Sequence, residues 1–249
     1  LRVLKPVVYY KGKRIKDVTV HPATVPHVRA AAMTYSLANN KEFKELATAT
    51  SHLTGKTISR FTHVHQNVED LIKKVKLLRV LGQKTGTCFQ RFVGFDGINA
   101  VYSVTYEMDR KLGTSYFERF KQWLIRIQDE NRMVVGAMTD PKGDRSKGPA
   151  DQPDPDQYVH IVERRDDGIV IRGAKLHMTG SVNSHEILVM PTAAMNERSK
   201  DYAVVCAAPI DAPGVTLIFG RQASDDRRDQ RERIDAGKPS FGAVGGEAV

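Results

Sequence analysis

The chain has 249 residues, 41% of them hydrophobic and 27% charged, with a formal net charge of +9. That length holds one large domain or two ordinary ones, and that balance excludes a disordered or fibrous chain. No run of eighteen apolar residues exists, which excludes a membrane-spanning helix. The start, Leu1-Arg2-Val3-Leu4-Lys5-Pro6, carries no signal-peptide pattern, so the cytoplasm is the expected compartment; a first residue other than Met is what a chain trimmed at its front would show. Two cysteines, Cys88 and Cys206, provide no disulfide framework and fit a reducing compartment. The basic excess favours phosphate-bearing partners. Lys and Arg are nevertheless interleaved with acids, and no nucleic-acid recognition motif is present, so neither nucleic acid nor a membrane is an expected partner.

Residues 1–135 read as helices. Pro26 suits the first turn of a helix that runs through Met33 and Leu37. Asn67 is a good N-cap, with Glu69 and Asp70 in the first turn behind it. Val68, Leu71, Ile72, Val75 and Leu78 then recur at three- and four-residue spacing and are predicted to share one helical face. A third helix carries Ile98, Val101, Tyr102, Thr105 and Met108, with Gly113 as its C′ stop. A fourth starts at Thr114 or Ser115 and presents Phe117, Phe120, Leu124 and Ile127.

After Gly136 the pattern becomes β. Tyr158 to Val162 reads as a strand, the pair Asp167-Gly168 as a tight turn, and Ile169 to Ile171 as the returning strand of a hairpin. Ile187 to Met190, Tyr202 to Ala207 and Val215 to Phe219 are further short strands. The expected fold class is α+β: an N-terminal α-helical domain over 1–135 and a middle β domain over 136–249, built as a small sandwich or barrel. Arg221 to Arg233 is densely charged in both signs and reads as a solvated loop or a binding patch. Ser240 to Val249, rich in Gly and Ala, reads as interrupted rather than finished.

Two stretches carry chemistry. Gly136-Ala137-Met138-Thr139-Asp140-Pro141-Lys142-Gly143-Asp144-Arg145 joins the helical half to the β half. Pro and Gly shape a loop there whose backbone N–H groups suit the polar edge of a flat ring or an anion; a plain interdomain turn would look the same. Ile171-Arg172-Gly173-Ala174-Lys175-Leu176-His177-Met178-Thr179-Gly180-Ser181 ends a strand in Thr-Gly-Ser, where a hydroxyl can face a ring nitrogen. No G-x-G-x-x-G occurs, so a Rossmann mode of holding a dinucleotide is not supported. His63 and His65 form an H-x-H without an evident third ligand, and His185 reads as structural within its Asn183-Ser184-His185 turn.

The two stretches together, about 35 residues apart, resemble the flavin-facing loops of the acyl-CoA dehydrogenase superfamily. The helical half narrows this. Leu81 to Ala100 (LGQKTGTCFQRFVGFDGINA), Gly136 to Arg145 and Arg172 to His185 are similar to the 4-hydroxybutyryl-CoA dehydratase family, within the wider 4-hydroxyphenylacetate 3-hydroxylase family. The resemblance runs from Pro22 to Gly246. It implies an acyl-CoA dehydrogenase-like fold with a C-terminal helical bundle that is absent here. It also implies FAD, a 4Fe-4S cluster, and loss of water from 4-hydroxybutyryl-CoA through a ketyl radical, with isomerisation of vinylacetyl-CoA. By the same resemblance Met138, Thr139, Asp140, Lys142, Gly143, Asp144, Arg145, His177, Met178 and Thr179 face the flavin, and Arg79 and Gln90 approach cofactor from the helical side. Thr179 would bond near the reactive flavin nitrogen.

One family feature is broken. The family's C-x-x-x-C pair places two thiolates one helical turn apart, but here Cys88 is followed by Phe92, which has no ligand atom. The remaining family ligands belong to the absent helical bundle. The expectation is a chain that binds no cluster and is inactive alone as a dehydratase, with Cys88 a relic ligand or a buried helix residue. Phe92 gives weight to a second reading, a reduced-FAD-dependent hydroxylase of phenols; a non-catalytic remnant is a third. The expected partners are a CoA-ester or phenolic substrate and, where the bundle is present, further copies of the chain.

Overall fold

The computed structural model describes residues 1–86, 91–220 and 247–248. In chain order the elements are β1 (Val7–Tyr10), β2 (Lys13–Ile15), α1 (Val25–Asn39), α2 (Lys44–Ala47), β3 (Thr48–Thr50), β4 (Thr57–Ser59), α3 (Val68–Thr85), α4 (Arg91–Leu112), α5 (Tyr116–Asp129), β5 (Val134–Ala137), β6 (His160–Arg165), β7 (Gly168–Arg172), β8 (Glu186–Val189), β9 (Cys206–Pro209), β10 (Thr216–Gly220) and β11 (Glu247–Ala248). Short 3₁₀ turns join several of them.

The predicted helices form, for the reasons their ends suggest. Pro26 occupies the first turn of α1. The Asn67 side chain accepts from the Asp70 N–H at 3.1 Å and caps α3. Gly113 stops α4 at φ +66°, its N–H returning to the Asp109 carbonyl. Helix α5 starts at Tyr116 with no cap from Ser115. Its free N–H groups at Tyr116 and Phe117 are satisfied by the Asp109 carboxylate, both at 2.9 Å.

Helix α3 turns the other way from the predicted face. Val68, Leu71, Ile72 and Val75 are exposed, and Leu77 and Leu81 are buried instead. The sequence of α3 carries two apolar stripes, and α1, α2 and Phe61 pack on the second. Helices α4 and α5 pack on each other through Ile98, Val101, Phe120, Leu124 and Ile127.

Strands are not confined to the back half. β1 pairs in parallel with β10, Val8 opposite Leu217, and antiparallel with β2, while β11 adds to the far side of β10. A second sheet has the order β5-β8-β9, with β5 and β8 parallel. β3–β4 and β6–β7 are separate antiparallel pairs. The β6–β7 hairpin begins at His160, and its loop is Asp166-Asp167, because Gly168 already pairs with Arg165. The predicted strand at Tyr202–Ala207 is a 3₁₀ turn over Glu197–Tyr202, capped by Asn196, followed by β9.

The β5–β8 sheet is the wall between two cores. Val135, Ala137, Ile187 and Val189 face a core shared with Val8, Ile15, Leu217 and Phe219. The alternate residues Val134 and Leu188 face α4 and α5. Cover on both faces is why these strands read as unbroken apolar runs rather than alternating ones. Helix α4 reaches the wall at two glycines one turn apart. A Cβ on Gly94 would stand 2.1 Å from the Val134 carbonyl oxygen, and one on Gly97 would meet Met190 and Leu188 at 2.9 and 3.0 Å.

Candidate functional site

β5 leads directly into the first candidate loop, and the second ends beside it. Thr139 and Leu176 form an isolated antiparallel bridge, the Leu176 N–H donating to the Thr139 carbonyl at 2.7 Å. Thr179 follows three residues later. The chain turns sharply there: His177 adopts φ +55°, Gly180 φ +87°, and the Thr179 N–H donates back to the His177 carbonyl at 2.9 Å. A non-glycine residue in the left-handed region costs roughly 1–2 kcal/mol, and such strain gathers at functional sites. Thr139 and Thr179 are both half-buried, and His177 is exposed between them.

The rest of the first loop is exposed over Lys142, Gly143, Asp144 and Arg145. Two glutamines shape it from beneath. Gln157 donates to the Pro141 carbonyl at 3.1 Å, and Gln152 accepts from the Asp144 N–H at 3.1 Å while donating to the Asp144 carbonyl at 2.9 Å. A Cβ on Gly143 would lie 2.3 Å from both amide groups, so a larger residue there would push the two glutamine side chains aside. Gly173 is needed in the second stretch: at φ +132° it lets the backbone of Tyr158 approach to where a Cβ would stand. The Ser146 hydroxyl and N–H, with Lys147, hold the Asp144 carboxyl below the usual carboxylate range.

Two of the residues assigned to the flavin face point inward. Met178 is 5% exposed and belongs to the β core. Asp140 is also buried, its carboxylate taken by Lys175 at 2.5 Å and by the Thr192 hydroxyl at 3.3 Å. An apolar Met packs where a polar turn was expected, and a buried carboxylate requires a partner. Lys175, within the motif but given no role from sequence, is the residue missed. Its partners lie far along the chain, and a single Lys in a β segment carries no signal of burial. Gln152 and Gln157 were missed because a lone Gln in a loop gives no sign of which backbone groups it will bond.

Arg79 is exposed on α3, which packs on α1 and α2, apart from the core beneath the two loops. Gln90, Cys88, the Phe92 side chain and Arg221 to Arg233 lie outside the described residues. Cys206 sits in β9 with its thiol pushed up to about 11 by burial, against the opposing influence of Lys175. His63 is buried and bonds the Asp70 carboxylate at 3.0 Å, and the His65 ring meets Phe95 edge-on. Among the described residues no group of three His, Cys, Asp or Glu side chains is placed to hold a metal ion, and no helix is long and apolar enough to cross a membrane. His185 is structural: its Nδ1 accepts from the Met133 N–H at 3.1 Å, and burial lowers the imidazole to about 4. A separate open cleft of about 580 Å³ lies between α1 and α3, lined by Met33, Leu37, Phe43 and Val80, and touches neither loop.

The two-core arrangement, with paired polar turns at the end of its shared wall, is a fold with named relatives. The family described as 4-hydroxyphenylacetate 3-hydroxylase N terminal matches residues 1–246, and the chain belongs to it. It is 52% identical over 243 residues to 4-hydroxybutyryl-CoA dehydratase/vinylacetyl-CoA-Delta-isomerase of Clostridium aminobutyricum, covering 97% of this chain and 50% of that protein. An archaeal 4-hydroxybutyryl-CoA dehydratase structure from N. maritimus superposes with a TM-score of 0.92 at 46% identity, over 98% of this chain and 49% of that one. The 4-hydroxyphenylacetate 3-monooxygenase oxygenase component of Thermus thermophilus is 26% identical over 88% of this chain and 44% of its own length. The oxygenase HpaB, solved with FAD, shares the fold with a TM-score of 0.76 at 24% identity, over the whole of this chain and 50% of that one. These relatives are enzymes, and the chain spans about half their length.

Proposed function

We propose that this chain forms the flavin side of a 4-hydroxybutyryl-CoA dehydratase/vinylacetyl-CoA isomerase, with FAD lying against the paired turns at Thr139 and Thr179. The observation that carries this is the Thr139–Leu176 bridge, which holds two polar turns side by side at one end of the β layer. The fit to a flavin rests on the half-buried threonine hydroxyls, the strained and exposed His177, and the exposed backbone over 142–145. FAD supplies one-electron chemistry when bound. This chain's own groups would orient the ring: the Thr179 hydroxyl at its edge, the loop from Lys142 to Arg145 along its polar margin. In this reading residues 1–135 and 136–249 act as the helical and flavin-contacting domains of an acyl-CoA dehydrogenase-like enzyme, with β1 and β2 crossing that boundary to join the β layer through β10. It works in the cytoplasm as a homo-oligomer, and other groups come from the part of the relatives that this chain does not span. Arg79 and Gln90 are the helical-side contacts of that reading.

A 4Fe-4S cluster does not fit the donors this chain offers. It has two cysteines, Cys206 lies in β9 rather than in the C-x-x-x-C position, and Phe92 stands where the family's second thiolate is expected. That same substitution favours one second reading, a reduced-flavin hydroxylase acting on a phenol. Titration of the chain with FAD, followed by flavin fluorescence, tests the shared core of both. Binding at one site per chain is expected, weakened roughly three- to tenfold by Thr179→Val, the loss of one hydrogen bond. A chain that binds no FAD refutes the proposal. Turnover of 4-hydroxybutyryl-CoA against hydroxylation of a phenol separates the two chemistries.

A further inference from the structure

The buried Lys175–Asp140 pair joins the two candidate stretches, one partner in each. Both side chains are 7% exposed. The Lys175 ammonium has three protons and three acceptors: the Asp140 carboxylate at 2.5 Å, the Met190 carbonyl at 2.9 Å and the Met138 carbonyl at 3.1 Å. The second Asp140 oxygen accepts from the Thr192 hydroxyl at 3.3 Å. These bonds tie together three segments: the exit of β5 at Met138, the exit of β8 at Met190 to Thr192, and the stretch that becomes Leu176, His177 and Thr179. Tyr158, Val159, Val189 and Val204 wall the pair in.

A pair of this kind is not explained by stability. Removing two charges from water cancels most of their attraction, and an apolar replacement of similar size is often as stable or more so. What the pair does supply is direction, because every proton has one fixed acceptor. We infer that Lys175 and Asp140 are positioning residues for the flavin site: they lock the register of Thr139 against Leu176 and so set the separation of the Thr139 and Thr179 hydroxyls. The inference rests on the proposed flavin reading and deepens it.

The test is a charge-free pair, Asp140→Asn with Lys175→Met, in the 249-residue chain. Three quantities are read: the thermal midpoint, the FAD dissociation constant, and hydrogen exchange of the Leu176 N–H in the flavin-free chain. A folded variant with a lowered thermal midpoint is expected, since the Met138 and Met190 carbonyls lose their donor, with the FAD dissociation constant raised at least tenfold and Leu176 exchange at least tenfold faster. A folded variant with wild-type FAD affinity and wild-type Leu176 protection overturns the inference. Should the double variant not fold, Thr192→Val removes one hydroxyl from an exposed position and is read in the same way. There at least a threefold weaker FAD complex is expected, and an unchanged one overturns the inference. A wild-type chain that binds no FAD overturns the flavin reading instead. The two failures are told apart because Leu176 exchange is measured without flavin.

Discussion

Replacing Gly94 by Ala sets two effects of opposite sign against each other. In the interior of α4, Ala is favoured over Gly by about 1 kcal/mol. The added methyl, however, would stand 2.1 Å from the Val134 carbonyl oxygen and 2.7 Å from its carbon. Ordinary contact begins near 3.4 Å, so helix and wall must separate by about 1 Å, and a backbone carbonyl cannot rotate aside as a side chain can. Overpacking of this kind costs about 1–3 kcal/mol, and a backbone obstacle belongs at the upper end. The net expectation for Gly94→Ala is a loss of about 2 kcal/mol, or about 4–8 °C in thermal midpoint for a chain of this size. Gly82→Ala is the control. It is also helical, in α3, and its Cβ would meet nothing within 4 Å, so that variant gains roughly 0.5–1 kcal/mol. Thermal and urea unfolding followed by circular dichroism reads both. A Gly94→Ala chain as stable as the Gly82→Ala chain would refute the close docking of α4 on β5.

Leu124, fully buried between α5 and the wall, should lose about 2–5 kcal/mol on truncation to Ala; a urea-unfolding loss below 1 kcal/mol would contradict that packing. Asn67→Ala removes the α3 cap and should cost about 1 kcal/mol by the same assay, with the rest of the helix unchanged. His185 makes stability fall in acid. Burial, followed by the N-terminal ammonium, Arg91 and Arg132, lowers it from 6.5 to about 4. The unfolded chain therefore takes up a proton below pH 6.5 that the folded chain refuses until pH 4. Stability is full above pH 6.5 and declines between 6.5 and 4 by about 1–3 kcal/mol, discounted for the ring's partial exposure. Urea midpoints from pH 7.5 to 4.5 measure this, and His185→Gln, which keeps an acceptor for the Met133 N–H, should flatten that part of the curve.

The helices were legible because their signals are local. Pro26, Asn67 and Gly113 each act within one turn of the residue they punctuate, and the stripe on α5 buries as its spacing requires. On α3 the period was right and the face wrong, since Val68, Leu71, Ile72 and Val75 compete with Leu77 and Leu81, and only the neighbours α1 and α2 decide between them. β5 is not legible because only Val134 and Val135 of its four residues favour a strand while Gly136 argues against one, and β1 because its partner is β10, near the other end of the described chain. Of the candidate site, the two turns could be read from their Gly, Pro and Thr content. The inward course of Asp140 and Met178 could not, because the bond from Asp140 to Lys175 joins segments that no local pattern connects.

The pairing of β1 with β10 bears on how the chain is made. Val8 and Leu217 lie roughly two hundred residues apart, which at ~5–20 residues per second is about 10–40 s of synthesis. For that interval β1 has only β2 to pair with, and the edge that β10 will cover is open to whatever else is nearby. The helices can form as they emerge, but the β core closes only after residues 216–220 arrive. A ribosome stalled before that point would present an aggregation-prone nascent chain rather than a half-built domain.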